Sequence, residues 1–379
     1  MRGTALAAIA LSGALALTGC AKDSGGNSGG NTSGSSASKC KTNPPPPAAP
    51  AAATSTQAVP DGNIDGSKTR VGLAYDVGGR GDASFNDAAA RGLDKAKAKL
   101  HLAGAKETTA STNETEDAKQ QRLKTLAQQG YNPIVTVGFA YSDALKAVAP
   151  QFPNTKFAIV DDNSVKLPNV TPLVFAEQQS SFLVGVAAAY KSKDCHIGFI
   201  GGVDTPLIQK FQAGFDAGAK AAAPNVKIEN AYIKPAGDNS GFNDPTDANL
   251  KAKGELAKGA DVIYQAAGAS GIGVFKAVKA EGKLAIGVDS DQYKQPNAAP
   301  YKNVIITSAL KRVDVAVYNF IAATIKGNLD TLPQRFDLKV NGVGYATSGG
   351  KIDDIAKILQ GYKAQIISGA IKVPTTPSS

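Results

Sequence analysis

The chain has 379 residues, 42% hydrophobic and 19% charged, which excludes wholesale disorder and collagen-like or coiled-coil designs. Its formal net charge of +9 is spread along the sequence without a block of like charges, so no nucleic-acid partner is expected. Two histidines and three cysteines leave too few residues for histidine-rich metal sites or four-cysteine zinc sites, and neither histidine stands in a nucleophile motif, so catalysis, a metal and a cofactor are all unexpected.

The N-terminus reads as an address. Arg2 supplies a positive n-region, and the apolar run from Ala5 to Leu17 is shorter than the roughly 20 residues that span a bilayer, as in a signal peptide over 1–19. The run ends in Leu17-Thr18-Gly19-Cys20, which resembles a bacterial lipobox and marks Cys20 for lipidation. Two or more acyl chains there would hold the protein stably on the outer face of the cell membrane. From Cys20 to Lys68 the composition is nearly all Gly, Ser, Ala, Pro, Asn and Thr, which buries too little apolar surface to fold and reads as a tether. As a flexible coil it would span roughly 35–40 Å. Cys40 in this segment and Cys195 beyond it could form a structural disulfide in an oxidising compartment, and the sequence leaves the pairing open.

From Arg70 onward, short β-branched runs alternate with longer Ala/Lys-rich segments of helical period. Strands are predicted over 71–77, 134–138, 157–161, 171–175, 197–201, 262–266, 284–289 and 304–310, and helices over 84–100, 117–129, 141–149, 180–191, 207–222, 246–258, 271–280 and 313–326. This alternation implies an α/β protein with parallel, doubly wound sheets. The openings VGLAYDVGGRGDASFNDAAARG and IGFIGGVDTPLIQKFQAGFDAG form a coarse internal repeat, each leading from a strand through Gly-Gly into a helix. Two such units imply two Rossmann-like lobes whose ligand surfaces meet in a cleft at the carboxyl ends of the strands.

Candidate ligand contacts sit at those ends. Asp76 closes the first strand, and Phe85 and Asn86 open the helix beyond it, with Asp82 or Ser84 placed to cap that helix. A carboxylate, a flat ring and an amide together suit a polar ring bearing hydroxyls. Asp161 and Asp162 follow KFAIV, Asp289 and Asp291 follow LAIGV, Gly268 and Gly271 lie in GASGIG, and Lys311 stands near these acids in SALKR. The glycine spacing is neither the dinucleotide GxGxxG nor a P-loop.

The segments DVGG, DASFN, FAIVD, GFIGGV with PLIQKFQAGFDAGAK, QAAGASGIGVF, and IGVDSDQ with SALK fall in order from about Arg70 to Tyr362 and together resemble the basic membrane protein family of lipoproteins. The resemblance implies a type I periplasmic-binding-protein fold and the purine-nucleoside-binding component of an ABC importer, working as a monomer with permease and ATPase subunits. It further implies Phe85 as a stacking platform, Asp76 and Asn86 as polar contacts of the first lobe, and Asp161 at the base edge. Asp289 and Lys311 would meet the ribose, with Gly268 and Gly271 against the sugar. Tyr264, Gln265 and Phe242 mark the regions where a second aromatic and further contacts are expected. One departure is visible: the family's Gln-Glu-Gly-Ser run is here Glu177-Gln178-Gln179-Ser180-Ser181. The expected lobes are 69–177 with 309–328, and 178–308 with 329–379, joined by crossings near 177–181, 306–310 and 328–333. The alternative reading is a surface-anchored sensor of another small polar solute, such as a sugar.

Overall fold

A computed structural model describes residues 38–46 and 64–378. Strand β1 (Arg70–Tyr75) is buried at every position after Arg70 because layers cover both its faces. It pairs in parallel with β2 (Gly104–Thr109) and β3 (Ile134–Thr136), followed outward by β4 (Phe157–Val160) and β5 (Val170–Leu173). This five-stranded sheet has the order β2-β1-β3-β4-β5. Helices α1 (Phe85–Leu100), α2 (Glu116–Gln128) and α3 (Ser142–Val148) connect its strands.

The chain then crosses to the second lobe. Helix α4 (Glu177–Lys191) leads into β6 (His196–Val203), α5 (Pro206–Ala222), β7 (Lys227–Lys234), α6 (Pro245–Ala257), β8 (Val262–Ala266), α7 (Gly271–Ala280), β9 (Leu284–Asp289) and β10 (Ile305–Lys311). Helix α8 (Val313–Lys326) returns to the first lobe and packs on α1, and β11 (Val343–Tyr345) and α9 (Ala356–Ile367) complete the second. The second sheet has the order β11-β10-β9-β8-β6-β7, parallel except for the antiparallel pairing of β10 with β11. The expected parallel sheets are present, and β11 adds one antiparallel edge.

Strands β2, β7 and β11 were not anticipated. The first two are half-exposed edge strands with polar sequences, GAKETT and KIENAYIK, and β11 is only three residues long, so none carries a continuous apolar run. The lobe boundary expected at 308/309 also moves, because β10 stays in the second sheet through Lys311 and the chain crosses at Arg312. At the hinge Phe336 donates its N–H to Val174 O at 2.8 Å and accepts from Ala176 N at 3.0 Å, while Arg312 N donates to Gly342 O at 2.9 Å. The rings of Phe175 and Phe336 stack at 5.1 Å over this seam.

The tether expected over 20–68 is not free along its whole length. Cys40 and Cys195 are joined by a disulfide. Around it Lys39 N donates to Lys193 O at 2.8 Å, Asn43 N to Ala222 O at 2.7 Å and Tyr190 Oη to Asn43 O at 2.8 Å, strapping Ser38–Pro46 to the second lobe. Ile64 is buried and Gly66 N bonds Leu100 O at 2.7 Å, so the chain is already docked on the first lobe before β1. Cys20 and the signal segment lie outside the described residues.

In each lobe the helix that arrives from the other lobe packs on the helix that follows the first strand, and glycine makes the contact. On α1, a Cβ at Gly92 would lie 2.6 Å from Asp314 O of α8. Between α4 and α5, a Cβ at Gly185, Gly214 or Gly218 would press into the opposing backbone, at Gly218 into the Phe182 carbonyl oxygen. Gly218→Ala is therefore expected to destabilise the protein by about 1–3 kcal/mol through overpacking, although alanine is the better helix former by ~1 kcal/mol. Urea unfolding checks this; an unchanged midpoint would show that the helices separate at no cost.

Candidate functional site

The carboxyl ends of β1, β4, β8, β9 and β10 converge on one cavity between the lobes. The first lobe contributes Asp76, Val77, Asp82, Phe85, Asn86, Gly138, Phe139 and Asp161 to its wall. The second contributes Leu207, Ile208, Phe211, Phe242, Ala266, Gly268, Val288, Asp289 and Lys311. Phe139, Asp161 and Leu207 also line a wider, more polar space that includes Lys210 and Arg335.

The turn after β1 is held from within. The Asp82 carboxylate accepts the N–H groups of Ser84, Asn86 and Asp87 at 2.8, 2.8 and 3.1 Å, satisfying the first turn of α1. Ser84 does not cap; its hydroxyl turns toward the other lobe, 2.9 Å from Asp289 Oδ2. The Asn86 amide ties Asp76 N, Val77 O and Asp82 together, so it shapes the turn as well as lining the cavity. Asp76 accepts from Val77 N at 2.7 Å, and burial pushes its carboxyl up to about 6. Burial likewise lifts Asp82 to about 7.

Lys311 stands at the centre. Its Nζ lies 2.6 Å from Asp161 Oδ2 of the first lobe and 3.5 Å from Asp289 Oδ1 of the second. The same ammonium lies 4.4 Å from the centroid of the Phe85 ring and 5.4 Å from that of Phe211. Burial opposes its charge, but the carboxylates of Asp161, Asp289 and Glu177 outweigh it and hold the lysine above its ordinary range. Glu177, buried beside this group with Lys210 at 3.7 Å, is raised to about 7 by burial. Asp161 is raised by the same cause despite Lys311. Asp161 Oδ1 and Asp289 Oδ1 are buried acceptors without a hydrogen-bond partner.

Both of these aspartates follow the same backbone logic. Asp161 directly follows β4 with φ 69° and Asp289 ends β9 with φ 61°, left-handed conformations that aspartate tolerates better than most residues. Such local strain recurs at ligand clamps.

Among the residues predicted from sequence, Asp76, Phe85, Asn86, Asp161, Gly268, Asp289 and Lys311 line the cavity. Gln265 and Gly271 do not. Gln265 donates from Nε2 to Gln292 Oε1 at 2.7 Å and accepts from Ala267 N, and Gly271 packs on that side chain, where a Cβ would fall 2.4 Å from it. Tyr264 is also away from the cavity, fully buried with its hydroxyl 3.2 Å from Ser181 Oγ. Phe242, marked from the sequence, does line the cavity, as do Phe211 on α5 and Phe139, and the rings of Phe139 and Phe242 meet edge to face at 6.5 Å across the cleft. Phe211 was missed because an apolar residue at helical spacing reads as core.

A family model described as ABC transporter substrate-binding protein PnrA-like matches residues 68–376. The chain belongs to this family. It is thus the solute-binding component of an ABC transporter, acting with permease and ATPase subunits, and it binds its ligand rather than transforming it. Similar proteins include the ABC transporter nucleoside-binding protein BmpA of Lactococcus lactis, 32% identical, covering 81% of this chain and 89% of that one. An uncharacterized lipoprotein of Pyrococcus abyssi is 36% identical over 74% of this chain and 70% of its own. An ABC transporter solute-binding protein structure from Aeropyrum pernix aligns with a TM-score of 0.69 at 29% identity, covering 81% of this chain and 94% of that one. The type I binding-protein fold with two α/β lobes follows from the same comparisons.

Removing the buried cation exposes the electrostatics. Lys311→Met should cost about 3–5 kcal/mol at pH 8, because it strands the carboxylates of Asp161 and Asp289 without the ammonium they share. Asp161 and Glu177, both raised by burial, bind protons more readily in the folded than in the unfolded chain, so this cost should shrink as the pH falls toward 5. Denaturant titrations at both pH values decide it; a cost independent of pH would mean the acids do not depend on Lys311.

Proposed function

We propose that this protein captures purine nucleosides, guanosine, inosine and adenosine among them, in the interlobe cleft and delivers them to an importer. The observation that carries this reading is the pairing of two phenylalanine surfaces from opposite lobes, Phe85 and Phe211, with inward-facing buried carboxylates. Two apolar rings favour a flat heterocycle. Carboxylate oxygens without partners favour a ligand rich in O–H and N–H donors, and satisfying them repays their desolvation. Among the described residues, the only lysine or arginine lining this cavity is Lys311, which is already engaged with Asp161, so a phosphate would meet carboxylates and no free cation. A neutral nucleoside suits this charge distribution and a nucleotide does not. The relative named as a nucleoside-binding protein supports the same ligand class.

We further place the protein on the outer face of the cell membrane as a monomer held by lipid on Cys20. The lipobox motif and the relatives named lipoproteins support this location.

Calorimetric titration of residues 38–379 with guanosine, inosine, adenosine, cytidine and the free bases tests the ligand. Binding of a purine nucleoside without turnover is expected, and a response confined to sugars would end the purine assignment. Phe85→Ala should weaken nucleosides and bases alike, whereas Asp289→Ala should weaken nucleosides at least tenfold more than bases, since a site built for a hydroxyl discriminates strongly. The affinity should also depend on pH. Asp76, which titrates near 6 with Lys119, Asp161 and Glu114 as its charged neighbours, accepts donors best when ionised. Affinity should therefore fall below pH 6, by up to tenfold per pH unit for one proton taken up, and Asp76→Asn should flatten the profile. A flat profile in the unsubstituted protein would remove Asp76 from the ligand.

A further inference from the structure

Beside the ligand cavity, a seam of hydrogen bonds joins the two lobes, most of its groups lying outside the cavity wall. The Ser84 hydroxyl lies 2.9 Å from Asp289 Oδ2 and 3.1 Å from Val288 O, sharing its one proton between them. In return Ser290 Oγ donates to Ser84 O at 2.5 Å and accepts from an Arg91 guanidinium N–H at 2.8 Å. Further along the same edge, Asn297 Nδ2 donates to Gly81 O at 2.6 Å. Ser84, Arg91 and Gly81 belong to the first lobe, Ser290 and Asn297 to the second, and none of the five lines the cavity.

We propose that Ser84, Arg91, Ser290 and Asn297 form a closure latch that sets the affinity for every ligand by one common factor. Apparent affinity is the intrinsic affinity of the closed cleft reduced by the fraction of molecules that are closed. Bonds that exist only when the lobes meet, and that touch no ligand, raise that fraction for all ligands equally. Asp289 links the latch to the cavity. Its Oδ2 is held by Ser84 from the other lobe while its Oδ1, ion-paired with Lys311 at 3.5 Å, has no hydrogen-bond partner, so closure fixes the orientation in which Oδ1 is offered. Ser84 is thus a positioning residue for Asp289.

Arg91 and Asn297 are exposed, so Arg91→Ala and Asn297→Ala leave the cores of both lobes intact. The choice of nucleosides as probes rests on the proposed function; a second readout does not. Calorimetry with guanosine, inosine and adenosine should show the double variant weakened about tenfold for each, with the ratios among the three unchanged. Small-angle X-ray scattering of the ligand-free chain should show a larger radius of gyration for the double variant than for the unsubstituted protein. Unequal losses among the nucleosides would show a direct ligand contact and overturn the latch. Scattering profiles that coincide without ligand would overturn it too, and would do so even if no nucleoside binds.

Discussion

The structure depends on one buried ammonium. Lys311 is the last residue of the last parallel strand before the chain crosses the hinge, and it reaches the aspartate that ends a strand in each lobe. A lone lysine at this depth would give up its proton, and unpaired aspartates would take one up. Together they offset one another's burial, and because Asp161 and Asp289 come from different lobes, the cluster is complete only when the lobes are together. The electrostatics of the ligand site and the closure of the cleft are therefore one property. Phe85 and Phe211 lie against the same ammonium, which places the apolar surfaces around the charged cluster without a direct ring-to-ring contact being required.

Two-fold logic recurs at every level. Each lobe opens with a strand and a helix, and each receives its partner helix from the opposite lobe. The arriving helix packs so closely that its neighbour carries glycine, Gly92 under α8 and Gly214 and Gly218 under α4. These close seams anchor α4 and α8 rigidly within their adopted lobes, so bending is left to the short hinge segments around Phe175, Arg312 and Phe336. Motion of whole lobes about such segments is hinge closure, in which packed elements move as units.

Much of this was legible in the sequence, and the gaps have physical causes. The alternation of β-branched runs with helical segments disclosed the buried strands because a strand covered on both faces has to be apolar throughout. Edge strands such as β2 and β7 are under no such constraint. Acids at strand ends could be read as ligand contacts because Asp161 and Asp289 follow apolar runs, where a polar residue marks the end of the sheet. Phe211 could not be separated from core by period alone, since α5 buries Ile208, Phe215 and Ala219 as well. Gln265 and Gly271 were misplaced by the opposite effect: they stand at a strand end and a helix start, but their side-chain space is taken up within the second lobe. The strap at Ser38–Pro46 was hidden by composition. Low-complexity sequence lacks the means to build a core, yet a disulfide and a few backbone bonds suffice to hold it on a surface another segment has built.

The charge of the whole protein says little about the cleft. A formal net charge of +9 suggests a taste for anions, yet the cavity wall sets Asp76, Asp82, Asp161 and Asp289 against Lys311 alone. Surface charges are screened within about 8–10 Å at physiological ionic strength, whereas groups sealed in the cleft interact over a low-dielectric path. Selectivity is thus decided by the few buried groups, and the surrounding lysines do not reach them. Burial adds a second filter, since raised carboxyl groups gain most from a ligand that brings N–H or O–H groups into the closed cavity. The same closure that completes the Lys311 cluster excludes the water that would otherwise satisfy those oxygens, and that is why ligand and latch work on a single equilibrium.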